Sequence, residues 1–303
     1  VLFGLAPALR AGRADVNATL RDGTRNATAS AGRLRLGRFF VAAQVALSLV
    51  LLVTAGLLLR TLANLQHADL GYARERLLSL RVDGVAAGYR EQRLETAYRQ
   101  LLDRFRNTPG VRAAAYSQNG LFTGNEAGDN VHVEGYTPNG ADDRAARFDA
   151  VSPGYFSALG IPLLLGREID ARDRAASPPV CVVNEAFAKL FFAGRNPLGK
   201  HVTEQYGDKL TTLEVIGVAR NSRDHDLRGP TPPRIFTAFA QPPPGDPPAA
   251  VHFEIRTTAE PRSLLNTLRR AARAQDANLS ILNARTLDEL IQQRVGQDNL
   301  LAN

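Results

Sequence analysis

Residues 39–59 form an unbroken run of 21 uncharged residues, closed by Arg38 and Arg60. At 1.5 Å of rise per residue such a helix reaches about 30 Å, the thickness of a bilayer's hydrocarbon core. The pattern therefore predicts a transmembrane helix over 39–59. Its faces are unequal: Gln44, Ser48, Leu51 and Ala55 recur at i, i+4, i+7 and i+11, whereas Val45, Leu49, Leu52 and Val53 lie elsewhere around the helix. A stripe of small and polar residues suits packing against neighbouring transmembrane helices, with Gln44 and Ser48 placed to hydrogen-bond across the interface. Helical spacing continues through Leu58, Leu62 and Leu65. It predicts a helical stalk over 60–71, with Gly71 as its C-cap.

Beyond Tyr72 the periodicity alternates between 2.0 and 3.6. Strands are expected over 77–82, 111–117, 130–136, 147–151, 180–183, 213–218, 234–239, 251–257 and 279–283. Helices are expected over 89–107, 155–159, 185–192, 261–275 and from Thr286 onward. The longest of these, 89–107, gathers Leu94, Ala97, Tyr98, Leu101, Leu102 and Phe105 on one face before Pro109-Gly110. The Pro/Gly-rich stretch 241–248 reads as a loop. The fold class that follows is α+β: one transmembrane helix with a helical stalk, then a mixed α/β domain of two lobes spanning 72–285. Residues 286–303 form a helix leading to the next transmembrane segment.

Charge gives the apolar run a direction. Residues 1–38 hold seven arginines (10, 13, 21, 25, 33, 35 and 38) against Asp15 and Asp22, so +5 of the chain's +7 lies there. That bias marks 12–38 as a cytoplasmic, Arg-rich connector without helical periodicity, and puts residues after about 60 outside the cytoplasm. It also removes the case for nucleic-acid binding, since no basic stripe with interleaved aromatics appears elsewhere. The chain lacks methionine and opens on the apolar segment Val1-Leu2-Phe3-Gly4-Leu5-Ala6. Residues 1–11 read as the end of a preceding transmembrane helix in a longer polypeptide. The basic residues follow this segment, the reverse of a signal peptide's order.

Candidate chemistry is sparse. Gly194-Arg195-Asn196-Pro197-Leu198-Gly199-Lys200-His201 fits G-x-x-x-x-G-K, but has His where a P-loop needs Ser or Thr, and follows a helix. It reads as a turn. Asp224-His225-Asp226 places three ligand types in a row without a second cluster, and reads as a solvated loop. Asp170 and Asp173, interleaved with Arg167, Arg172 and Arg174, read as a charged surface. Ser117 and Ser152 read as strand-end and turn residues, the single Cys181 as a small buried hydrophobe. No catalytic, cofactor or metal site emerges.

An ordered set of segments carries a resemblance. Phe3-Gly4-Leu5-Ala6-Pro7-Ala8-Leu9-Arg10, Val45-Ala46-Leu47-Ser48-Leu49-Val50-Leu51-Leu52 and Ala55-Gly56-Leu57-Leu58-Leu59-Arg60 come first. Val151-Ser152-Pro153-Gly154-Tyr155-Phe156, Leu159-Gly160-Ile161-Pro162-Leu163, Gly166-Arg167-Glu168, Val183-Asn184-Glu185-Ala186-Phe187-Ala188 and Asn196-Pro197-Leu198-Gly199-Lys200 follow. Together they resemble the MacB/FtsX-like ABC transporter permeases, of the duplicated type, over nearly the whole chain. The resemblance implies a permease subunit of the bacterial inner membrane, not an enzyme and without cofactor, that transmits movement from a cytoplasmic ABC ATPase subunit to a MacB-like periplasmic core domain for export or envelope remodelling. Its implied partners are that ATPase, further transmembrane helices and the lipid bilayer. Docking of a periplasmic adaptor, the transported substrate and the oligomeric state are left open. From another class, a membrane-anchored extracytoplasmic sensor or ligand-binding domain fits the same layout.

Overall fold

The structure is a computed structural model describing residues 27–66, 69–138, 140, 144–206, 209–227, 229–241 and 248–301. The chain divides into two compact units, residues 1–67 and 68–303.

The first unit contains helix α1 (Ala27–Gln66). Its segment Arg38–Leu57 is long and apolar enough to cross a membrane, and none of it is buried in the chain. The helix starts earlier than the sequence pattern predicts: residues 27–38, read as a connector without helical order, already belong to it, while 12–26 lie outside the described residues. Once a long helix is nucleated, each further residue adds a hydrogen bond for two dihedrals fixed, and the Ala, Leu and Arg of 27–38 are strong helix formers. Its other end is also corrected, because the helix stops at Gln66 rather than at Gly71. Asp69 replaces a helical cap there, its Oδ1 accepting from Gly71 N at 2.9 Å.

In the second unit, β1 (Leu77–Asp83), α2 (Glu91–Arg106), β2 (Val111–Ser117), β10 (Ala250–Thr257), α5 (Leu265–Gln275) and β11 (Ile281–Thr286) form one lobe. Its strands pair antiparallel in the order β11-β1-β10-β2, the split βαβ topology of ferredoxin-like domains. Helix α2 buries the stripe predicted from spacing, with Leu94, Ala97, Tyr98, Leu101, Leu102 and Phe105 all at 3% exposure or less. They pack on Leu78, Leu80, Tyr116, Phe253 and Ile255 from one sheet face, and α5 adds Leu268 and Ala272.

Everything between β2 and β10 is an insertion that builds the second lobe. It comprises β3 (Ala127–Val133), β4 (Ala145–Val151), α3 (Tyr155–Leu159), β5 (Leu163–Gly166), β6 (Val180–Asn184), α4 (Glu185–Phe192), β7 (His201–Tyr206), β8 (Lys209–Ala219) and β9 (Arg234–Ala238). The pairings run β4-β3-β7-β8-β6-β9 and return to β4 through the parallel register Arg147↔Arg234 to Val151↔Ala238. Six strands therefore close on themselves, which removes their free edges. Val131, Val133, Ala146, Cys181, Val183, Val202, Leu213, Val215 and Ile235 fill the interior, with Phe187, Phe191 and Phe192 from α4. Asn184 caps α4, its Oδ1 accepting from Phe187 N at 2.9 Å. Two hydrophobic cores on one continuous sheet make the two lobes, and helix α6 (Leu287–Leu301) follows β11.

Candidate functional site

Side chains alternate across a strand. On β10, Phe253 and Ile255 enter the first lobe's core, so His252, Glu254 and Arg256 share the opposite face. Antiparallel register sets Glu254 between Ser79 and Ala115 and Arg256 between Leu77 and Ala113. This second face is covered rather than solvated: Glu254 is 1% exposed. Ser79 Oγ donates to Glu254 Oε1 at 2.9 Å, whereas Glu254 Oε2 is buried with no partner. Burial pushes the Glu254 carboxyl up to about 8 and holds the His252 imidazole down at about 4.

The second lobe meets this face with its own buried charges. Arg234 Nη2 lies 2.9 Å from Asp224 Oδ1 and 3.1 Å from Glu126 Oε1, and Arg147 Nε and His225 Nδ1 approach the other Glu126 oxygen at 3.4 and 3.9 Å. Asp149, on β4, accepts from Asn119 N at 3.1 Å. Burial drives its carboxyl up to about 7 against the opposing pull of Arg234, and raises Asp224 as well. Ser152 and Ser117 complete the junction through their hydroxyls, which accept from Tyr116 N and Gly120 N. One guanidinium thus serves several carboxylates where the closed sheet and the split βαβ sheet join.

The segment leading into the domain, 69–73, is fastened to the second lobe beside this junction. Arg220 Nη2 pairs with Asp69 at 2.7 Å, Arg223 N donates to Leu70 O at 2.8 Å, and Tyr72 Oη donates to Arg223 O at 3.2 Å. Ala73 N donates to Leu159 O, at the end of α3. Leu70 and Tyr72 are buried, and Gly71 adopts φ +79° with its Cα so close to the chain that a Cβ would lie 2.0 Å from Asn221 O. The segment leaving the domain sits alongside: Arg74 pairs with Asp288 at 2.7 Å, and Thr286 and Glu289 form a reciprocal capping box at the start of α6.

The sequence profile of the MacB-like periplasmic core domain matches residues 39–268. The chain belongs to this family. Among solved structures, the periplasmic region of MacB from Actinobacillus actinomycetemcomitans is 14% identical, with a TM-score of 0.48 over 76% of this chain and 97% of that one. The extracellular domain of the ABC-type transporter YknZ from Gram-positive bacteria is 14% identical, with a TM-score of 0.41 over 68% and 100%. A permease domain from Porphyromonas gingivalis is 12% identical, with a TM-score of 0.41 over 71% and 92%. No curated protein matches the sequence.

Within this MacB-like chain the predicted residues fall in different places. Gln44, Ser48, Leu51 and Ala55 share one face of α1 and are exposed. Leu58, Leu62 and Leu65 lie on α1, their side chains outside the described set. The 194–201 segment is a turn, with Asn196 Oδ1 accepting from Leu198 N and Lys200 paired to Glu134. Two expectations fail. Asp224 is buried, not solvated, because Arg234 compensates it, and Asp173 is buried in a two-point pair with Arg167 at 2.8 Å. Among the described residues no group of three or more His, Cys, Asp or Glu is placed to hold a metal ion. Sequence reasoning missed Asp149, Arg234 and Glu254. Their signal is a charged residue within an otherwise apolar strand, as in Phe148-Asp149-Ala150-Val151 and Arg234-Ile235-Phe236.

Proposed function

We propose that this chain is part of the permease subunit of an ABC-type export or mechanotransmission system in the bacterial inner membrane. In this reading it couples ATP hydrolysis by a cytoplasmic ABC ATPase subunit to movement of its core domain, with residues after about 60 in the periplasm. The carrying observation is the fastening of 69–73. Its bonds to the 220–223 loop and to the end of α3 hold a chain segment that follows an apolar helix firmly against the second lobe, and Arg256 Nη2 on β10 of the first lobe donates to Ala73 O at 3.3 Å. A pull on that segment is met by several hydrogen bonds and the buried packing of Leu70 and Tyr72 rather than by a slack linker. The exposed stripe Gln44, Ser48, Leu51 and Ala55 is the surface for other transmembrane helices. Leu58, Leu62 and Leu65 form the stalk that carries their displacement.

A sensor or ligand-binding module needs an opening between lobes for its ligand. Here that space holds Asp149, Arg234, Glu254, Tyr155 and Phe236, all 3% exposed or less. The test is the complete permease reconstituted with its ATPase, carrying Leu58→Ser, Leu62→Ser and Leu65→Ser together. Coupling predicts that ATP hydrolysis continues while transport is lost. Transport at the parental rate would overturn the stalk's role.

A further inference from the structure

A cleft of about 680 Å³ opens where β1 begins and β10 ends, and arginines line it: Arg74, Arg76, Arg112 and Arg256, with Glu75 as the one carboxylate. Arg74 is neutralised by Asp288. The other three form no ion pair among the described residues. Arg256 Nη2 donates only to the carbonyls of Leu159 and Ala73, and its Nε is buried without a partner. Arg76 Nη1 donates to the carbonyl of Thr258, from a backbone held at φ +54°. Arg112 is exposed and has neither a hydrogen bond nor an ion pair among the described residues.

The local backbone explains why these charges meet. Register between β2 and β10 slips between Arg256↔Ala113 and Thr257↔Val111, so Arg112 is the extra residue of a β-bulge. A bulge re-aims a side chain that regular alternation sends elsewhere. The Arg112 guanidinium comes close enough to Arg256 to weaken proton binding there, adding to the larger effect of burial. Like charges gathered with Glu75 as the one carboxylate of the cleft, beside a strained Arg76, are costly in an empty fold and favourable around an anion with several acceptor oxygens.

We propose that Arg76, Arg112 and Arg256 form a binding site for a phosphate-class oxyanion, such as the phosphodiester of an anionic lipid headgroup. Guanidinium forks match phosphate oxygens in pairs, which a lone ammonium does not. Arg76 follows the end of the apolar run, Leu59, by only 17 residues, so the chain order favours a lipid source.

Calorimetric titration of the full chain in non-ionic detergent tests this, using inorganic phosphate, dihexanoyl phosphatidylglycerol and dihexanoyl phosphatidylcholine below their micelle concentrations. Saturable binding of phosphatidylglycerol, weakened about tenfold or more by Arg112→Glu, is expected, since a charge-assisted bond is lost and a repulsion gained. Binding of phosphatidylglycerol without inorganic phosphate assigns the site to lipid. Binding of phosphate with the same sensitivity assigns it to a soluble anion. Arg112→Gln, which deletes the charge and leaves an exposed amide, repeats the test should the Glu variant fold poorly. No binding by any probe, equal binding of phosphatidylcholine, or affinity unchanged by both substitutions would overturn the proposal.

Discussion

Replacing Arg234 by methionine removes the guanidinium that Asp224 and Glu126 share at 2.9 and 3.1 Å and that also attracts Asp149. Methionine keeps most of the volume, so the loss is electrostatic rather than a cavity. Breaking a buried pair by deleting one partner costs about 3–5 kcal/mol, because a desolvated charge is left behind. For a domain of this size that lowers Tm by roughly 10 °C. The loss depends on pH, with a definite sign. Asp149 has its folded value raised to about 7 from 3.8 by burial, so its contribution to stability is full below about pH 4 and declines as pH rises through 7. Without Arg234 the carboxyls hold their protons more tightly still, and ionising them costs more. The deficit of Arg234→Met should be large at pH 8 and small at pH 5. Urea unfolding of the full chain in detergent, followed by circular dichroism at both pH values, measures it. A deficit below about 1 kcal/mol at pH 8, the scale of a surface ion pair, or one independent of pH, would refute the picture of a buried, under-compensated carboxylate cluster.

Glu254→Gln keeps the acceptor for Ser79 and abolishes the ionisation that burial opposes. Glu254 sits at about 8 when folded against 4.5 ordinarily, so between pH 5 and 9 the parent should lose more stability than the variant, which keeps only the decline set by Asp149, by on the order of a few kcal/mol. Parallel unfolding curves for the two over that range would contradict the assignment. Gly71→Ala places a Cβ 2.0 Å from Asn221 O on a backbone at φ +79°. It should cost about 1–2 kcal/mol from conformation alone and release 69–73, read as faster hydrogen exchange at Ala73 and Arg223. Leu101→Ala, fully buried under the first lobe's sheet, should cost about 2–5 kcal/mol by unfolding. Arg74→Ala, breaking a surface pair with Asp288, should cost no more than about 1 kcal/mol.

The features legible in the sequence are those whose cause is local. The charge-free run 39–59 announces a helix long and apolar enough to span a membrane, and α2 announces its buried face by spacing. The family resemblance, carried by the ordered motifs from Val45 to Lys200, anticipated the core domain. Features that depend on distant partners were illegible. Strand β5, Leu163–Gly166, is four residues long and too short to show a period, and β7, His201–Tyr206, mixes polar residues on a strand whose order comes from β3 and β8. Asp224 looks like a loop residue until Arg234 is folded beside it, and Asp149 reaches the same cluster only because β4 and β9 close the sheet. Nothing local told Gly71 apart from a helix cap. Its role as a point of close approach is set by Asn221, 150 residues onward.

The central claim is that displacement of a membrane helix reaches the core domain through the fastened segment 69–73. Slackening the chain just ahead of it tests this most directly. Four residues, Gly-Ser-Gly-Gly, inserted between Gln66 and Asp69 leave every bond within the domain in place and add only a flexible coil. In the complete permease with its ATPase, transport should fall to the level measured without ATP, while ATP hydrolysis and the domain's unfolding midpoint stay at parental values. Transport that continues at the parental rate across the slackened segment would contradict the account.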